Sequence, residues 1–303
     1  MILAIETATD ICSVACRDME GGVHEKKIEA KGSHSERLFT YTRELMDELS
    51  FGVDDLQAVL VSEGPGSYTG LRIAASAAKG LLFASAAPLY GVHTLASFAA
   101  GVRAGLDLGD GDLQPRTVHC VIDARRVHLY HRSFDLHSSG MKARDQVEVL
   151  PIEKVEQMIR PGHLLAGTGL ERIDPAVVEQ TESRGTRPVS ARSLLALWEL
   201  PGREAFARRV TPEEFDPRYY TSPRRCSPEG APPHIKILAS CQNRYFGIYL
   251  NKNDSRCPGS NAKTKIYKPN SGRRCRKGSG SRCPPPARPC IAGSWRTISG
   301  WIP

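Results

Sequence analysis

Glu6 and Thr7 close the first apolar run of the chain, MILAIET. A carboxylate and a hydroxyl at one hairpin end can hold a hydrated Mg²⁺ and steady a phosphate. The plain reading, a solvated hairpin end, is the favoured one. A second group lies in Gly64-Pro65-Gly66-Ser67-Tyr68-Thr69-Gly70, between an apolar run and a small-residue helix. Backbone N–H groups at such a turn meet either an anion or a close backbone neighbour. The spacing of Gly64, Gly66 and Gly70 does not fit G-x-G-x-x-G, and no Gly-Lys-Ser/Thr follows for a phosphate loop. Glu6, Thr7, Gly64, Gly66 and Ser67 therefore form the candidate phosphate-binding set, with pure turn geometry as the competing reading.

Other polar clusters carry less. His34, Glu36 and Arg37 stand at the start of the first long helix. They lack a nucleophile with a base and a third orienting group, so they read as solvent-facing or interface residues. Asp123, Arg125 and Arg126 invite a general-acid or phosphate role, against a hairpin turn with an internal ion pair. Gly167-Thr168-Gly169 could cradle a phosphate, but a strand-to-loop turn is commoner. No H-E-x-x-H occurs, which disfavours a zinc peptidase. Cys12, Cys16 and Cys120 read as buried small hydrophobes in strands. The six cysteines from Cys226 to Cys290 contain no C-x-x-C pair, so no zinc ribbon is expected.

The elements that must position these residues follow from periodicity. Strands are expected at Ile2–Glu6 and Ser13–Arg17, with a third ending near Ile28. A helix capped by Ser33 or Ser35 runs to about Leu49, with Leu38, Thr42, Leu45 and Leu49 on one face, widened by Phe39 and Met46. A buried strand, Ala58–Ser62, leads into the turn. The next helix carries Ala74, Ala75, Ala77, Ala78, Gly80 and Ala84, and so permits close packing against its own chain or another. A strand at Pro88–Val92 and a helix at Thr94–Ala104 precede a polar linker, Gly105–Arg116. A hairpin (Thr117–Ile122, Val127–Phe134), a helix at Ile152–Ile159 and a strand at His163–Ala166 follow, then helices near Ser190–Glu199 and Arg203–Arg209. The first pattern partly recurs, which fits two related α/β subdomains.

Charge divides the chain unevenly. Residues 1–221 carry 25 Lys/Arg and 31 Asp/Glu, whereas residues 222–303 carry 16 and 2. The body is mildly acidic and is no obvious nucleic-acid binder by itself. Glu6 interrupts the first apolar run and Arg72 and Lys79 interrupt the most apolar helix, so neither a signal peptide nor a membrane span is expected and the protein reads as cytoplasmic. From Ser222 onward Ser, Pro, Gly, Arg and Lys dominate, and only Ile235–Leu238 and Tyr245–Leu250 look strand-like. This basic Pro/Ser/Cys-rich tail reads as disordered or as a frame-shifted, artefactual end. An RNA-binding tail is the functional alternative.

Four segments carry a more specific signal: MILAIETATDICSVAC, Ser33-His34-Ser35-Glu36-Arg37-Leu38, the run from Gly64 to Leu95, and Val121-Ile122-Asp123-Ala124-Arg125-Arg126 with Tyr130 following. In this order they resemble the bacterial TsaB (YeaZ) family of tRNA threonylcarbamoyladenosine biosynthesis proteins. The resemblance spans residues 1 to about 130 and is lost near Tyr220. It implies the α/β actin-like ATPase (ASKHA, RNase H-like) fold with two related subdomains, drawn at residues 1–105 and 106–221. It implies a non-catalytic partner subunit of the complex that transfers threonylcarbamoyl to N6 of adenosine 37 in tRNAs reading A-starting codons. The transferring partner is a metal-bearing homologue (TsaD family). A small ATPase (TsaE family) joins, tRNA is met indirectly, and ATP with Mg²⁺ enters at the level of the complex. In the metal-bearing sister family two His at i, i+4 follow a strand similar to Pro88–Val92. Thr94 and Phe98 stand there in this chain, beside His93. The family pairs, as homodimer or heterodimer, through its first two long helices. Here His34, Leu38, Leu45, Arg72, Ala74, Ala77, Ala78 and Leu81 are the interface candidates. Two rivals remain, an ATP-dependent small-molecule kinase of the same fold and an RNA-binding adaptor acting through the tail.

Overall fold

The computed structural model describes residues 1–29, 34–83, 85–107, 115–221, 235–238 and 247–250, with the side chains of residues 34, 35, 235–238 and 247–250 left out. Ser33, Ala84, the middle of the Gly105–Arg116 linker and most of the tail lie outside the described residues.

The first sheet begins with β1 (Ile2–Glu6), β2 (Ile11–Arg17) and β3 (Val23–Glu29). These run antiparallel, with Ile2 opposite Arg17 and Glu6 opposite Ser13. β1 and β2 are buried on both faces, so their sequences are apolar without alternation. β3, VHEKKIE, lies at the sheet edge and is only partly buried. Helix α1 (His34–Glu48) then returns the chain to β4 (Ala58–Gly64), which runs parallel to β1. Helix α2 (Tyr68–Leu81) leads to β5 (Leu89–His93), parallel to β4, and α3 (Thr94–Ala104) follows at once.

The second sheet repeats the plan. β6 (Arg116–Asp123), β7 (His128–His137) and β8 (Gly140–Ala143) are antiparallel, and β9 (Glu148–Pro151) also pairs with β7. After α4 (Ile152–Met158), β10 (Leu164–Ala166) lies parallel to β6. After α5 (Pro175–Glu179), β11 (Glu182–Ser183) lies parallel to β10. The order β8-β7-β6-β10-β11 matches β3-β2-β1-β4-β5 strand for strand. This doubled topology is the expected actin-like, RNase H-like fold.

Helix α6 (Ala191–Trp198) is capped by the Ser190 hydroxyl, which accepts from Arg192 N–H. Together with α3 it fills the layer between the two sheets, where Leu60, Phe98, Cys120, Phe134 and Leu194 share one core. This is why TLASFAAGVRA is apolar on nearly every side. The α1 and α2 helices cover the opposite face of the first sheet, and α4 covers the outer face of the second. Cys12, Cys16 and Cys120 are buried, as expected for small core residues.

One element differs in kind from the sequence reading. Arg203–Arg209 is not a helix: Arg203–Ala205 make a single 3₁₀ turn, and β12 (Ala207–Val210) pairs antiparallel with β5. The open edge of β5 lies far away in sequence, and local propensity carries no trace of it. By itself, the end of the chain holds an antiparallel ladder, β13 (Ile235–Leu238) with β14 (Gly247–Leu250), at the two strand-like stretches of the tail.

Candidate functional site

Glu6 ends β1 fully buried, which overturns the solvated reading. Its Oε1 accepts from Ala8 N–H at 2.6 Å, and Oε2 has no hydrogen-bond partner within bonding distance among the described residues. Burial raises its pKa from 4.5 to about 7, against the pull of Ala8 N–H, Ser62 and Lys27. The Gly-rich turn packs against the two residues that follow Glu6. The Thr7 hydroxyl donates to Gly70 O at 2.9 Å, and Ser67 N–H donates to Ala8 O at 2.6 Å. A Cβ on Gly70 would stand 2.0 Å from Thr7 O, and one on Gly66, where φ is +159°, would stand 2.3 Å from Ala8 O. Gly64 N–H donates to Thr94 Oγ1, and Gly70 N–H to Ser67 Oγ, the helix cap. The glycines thus admit a neighbouring backbone. The Thr7 hydroxyl and the Gly64, Ser67 and Gly70 N–H groups of the candidate phosphate set are thus engaged within the chain.

The other clusters resolve similarly. Asp123 pairs with Arg172 at 2.9 Å, not within its own hairpin, and its Oδ1 also accepts from Arg125 N–H. The expected internal ion pair is therefore replaced by one that ties the hairpin to the segment after β10. Gly167 (φ +122°) lies where a Cβ would meet Val121 O at 1.9 Å, and Gly169 N–H donates to that same oxygen. This is a close strand-to-turn contact, not a phosphate cradle.

Leu38 and Leu45 of α1, and Ala74, Ala77 and Ala78 of α2, are buried against the first sheet of their own chain. Leu81 is half-buried and packs on the same core. The side chain of His34 lies outside the described residues. Arg72 reaches the surface, where its guanidinium donates to Tyr68 Oη at 2.9 Å and lies 5.4 Å from that ring. What the two helices turn outward is aromatic: Phe39 is 60% exposed, Tyr68 58% and Phe83, just past α2, 91%. Sequence reading placed Phe39 on the widened apolar face of α1, and the structure exposes it. The sign it missed in Phe83 is a large aromatic just outside the small-residue stripe.

At the start of α3, Thr94 and Phe98 are committed to structure. Thr94 Oγ1 holds Gly64 N–H, and Phe98 lies fully buried between the sheets. His93 caps the helix, its Nδ1 accepting from Ala96 N–H at 3.3 Å, while the buried Nε2 has no partner among the described residues. Burial first, then Arg132 and Arg218, push its pKa down to about 3. Nearby Glu63, 3% exposed at its side chain, binds Arg208 at 2.6 Å and Arg218 at 3.2 Å. None of Glu63, Arg132, Arg208, Arg218 and Tyr220 stood out in sequence as a site residue. The available sign was a carboxylate inside the apolar strand AVLVSEG.

A family model described as "TsaD: tRNA N6-adenosine threonylcarbamoyltransferase" matches residues 10–177, more than half of the chain. The chain belongs to the TsaD family, in its TsaB (YeaZ) branch. Among TsaB relatives, "tRNA threonylcarbamoyladenosine biosynthesis protein TsaB" of Escherichia coli K12 is 30% identical over 149 residues, covering 49% of this chain. The chain spans only 61% of that relative's length. The TsaB protein of Buchnera aphidicola from Acyrthosiphon pisum is 34% identical over 157 residues, covering 52% of this chain and 67% of its own. A solved Pseudomonas aeruginosa structure, an uncharacterized protein with similarity to peptidase YEAZ, superposes with a TM-score of 0.58 at 27% identity. That match covers 73% of this chain and 99% of the other. TsaB membership agrees with the doubled sheet plan, and the comparison with the solved structure reaches well beyond residue 130, where the sequence resemblance fades.

Proposed function

We propose that this chain is a non-catalytic partner subunit in the formation of threonylcarbamoyladenosine in tRNA. In this reading it binds the metal-bearing transferase homologue and supports its active state in the cytoplasm. The carrying observation is the start of α3, where the family resemblance places a ligating His pair. Thr94 is bonded to Gly64 N–H and Phe98 is sealed in the core, so neither position can hold a metal. At the Glu6 turn the Thr7 hydroxyl and the Gly64 and Gly70 N–H groups are already bonded within the chain, which weighs against the kinase rival.

The partner would meet the outward face of α1 and α2 at Phe39, Tyr68, Arg72 and Phe83, since exposed aromatics and Arg dominate binding at interfaces. The same face would serve a homodimer. The small ATPase and tRNA join through the transferase homologue, and residues 1–105 and 106–221 supply the two subdomains, with β12 crossing back to the first sheet.

Reconstitution tests the reading. Threonylcarbamoyl incorporation into tRNA is measured with the transferase homologue alone, with this chain alone, and with both, always with the enzyme that makes threonylcarbamoyl-adenylate. Product is expected only in the arm with both proteins above the homologue's own background. Product from this chain alone would contradict the non-catalytic assignment.

A further inference from the structure

We infer that His93, Arg132, Arg218 and Tyr220 build a site for a small oxyanion, a carboxylate or phosphate group, in the cleft at the start of α3. The cleft has a volume of about 230 Å³ and is lined by these four side chains with Glu63 and Arg208. Drug-sized ligands use roughly 300–1,000 Å³, so the space suits a small group.

His93 gives the site its directionality. Because Nδ1 accepts from Ala96 N–H, the ring proton of the neutral imidazole resides on Nε2. That N–H is a buried donor with no acceptor among the described residues. A buried donor is costly until an acceptor meets it. Burial and the flanking guanidinium groups keep the ring neutral, so Nε2 remains a donor throughout the ordinary pH range.

Charge gives the site its sign. Glu63 is satisfied by Arg208 and Arg218 together. Arg132 pairs with no carboxylate among the described residues: its Nε donates to Asp145 O at 3.1 Å. The guanidinium is held 5.3 Å and 5.5 Å from the Phe134 and Phe206 rings, which fixes it as a preorganised cation. The Tyr220 ring meets His93 edge-on at 6.3 Å and walls the cleft on that side. Three guanidinium groups against the one buried carboxylate leave the lining cationic, and an incoming anion would find both a fixed charge and an unpaired donor. Glu204, also on the lining, is largely exposed and pairs with Arg203.

The test uses the full chain. Sodium phosphate and sodium acetate are titrated separately at constant ionic strength, and the backbone amide signals of Ala96 and Tyr220 are followed by NMR. Saturable shifts with either anion support the site; saturation by phosphate alone assigns a phosphoryl ligand, and by acetate alone a carboxylate. Arg132→Gln should weaken binding by about tenfold or more through loss of a charge-assisted contact. His93→Asn should weaken it similarly while keeping the helix cap, since Asn is among the best capping residues. Linear, unsaturated shifts with both anions would overturn the site, as would unchanged affinity in both variants. The partner reading is tested at Phe39 and Phe83, neither of which lines the cleft, so failure here leaves that reading standing, and the reverse holds.

Discussion

Burial holds the Glu6 carboxyl near a pKa of about 7, against 4.5 for the free group. An acid with a raised folded pKa binds its proton more tightly when folded. Its contribution to stability is therefore fully present below the unfolded value, falls as pH rises from about 4.5 to about 7, and stays low above that. Glu6→Gln keeps the acceptor for Ala8 N–H and removes the charge. Relative to wild type the variant should gain stability between about pH 5 and pH 8, by up to roughly 3 kcal/mol. Urea unfolding at both pH values checks this, and parallel pH profiles would count against it. The turn glycines give a second contrast. Gly70→Ala should destabilise by about 1–3 kcal/mol or more through overpacking against Thr7 O. Gly80→Ala, open on its outer side, should stabilise α2 by about 1 kcal/mol. Equal effects at the two positions, read by thermal unfolding, would mean the turn is looser than described. Neither feature was legible in sequence. A carboxylate that ends an apolar run reads as a strand end, and the side chains beside Glu6, Ser62 and Lys27, come from strands far along the chain.

At the scale of elements, α1, α2 and α3 were readable because their apolar repeats are long. The free face of α1 and α2 was not. A stripe of Ala74, Ala77 and Ala78 looks the same whether it packs on its own sheet or on a partner, and here it packs on its own sheet. The strand Ala207–Val210 was hidden for a related reason, since only the distant edge of β5 makes it a strand. The exposed aromatics instead mark the outward face. Phe83→Glu, with Phe39→Glu as a second variant, should weaken association with the transferase homologue by about tenfold or more, as loss of an interface anchor does. The unfolding midpoint should stay close to wild type, because both side chains lie outside the core. Wild-type affinity in both variants, measured by titration calorimetry, would move the interface elsewhere.

At the largest scale, the first unit of the chain stacks two sheets of one topology around α3 and α6. That repetition was visible in outline, because the strand and helix pattern of the first half returns in the second. The cationic cleft at His93 was not, because its Glu63, Arg132, Arg208 and Arg218 come from four separate segments that only the fold brings together. The central claim is that the chain works as a partner rather than alone. The most direct measurement is the solution mass of the full chain mixed with the metal-bearing transferase homologue from the same source. A stable one-to-one species, heavier than either protein, is the expected result. Two unshifted species, with ATP and tRNA also present, would contradict the account.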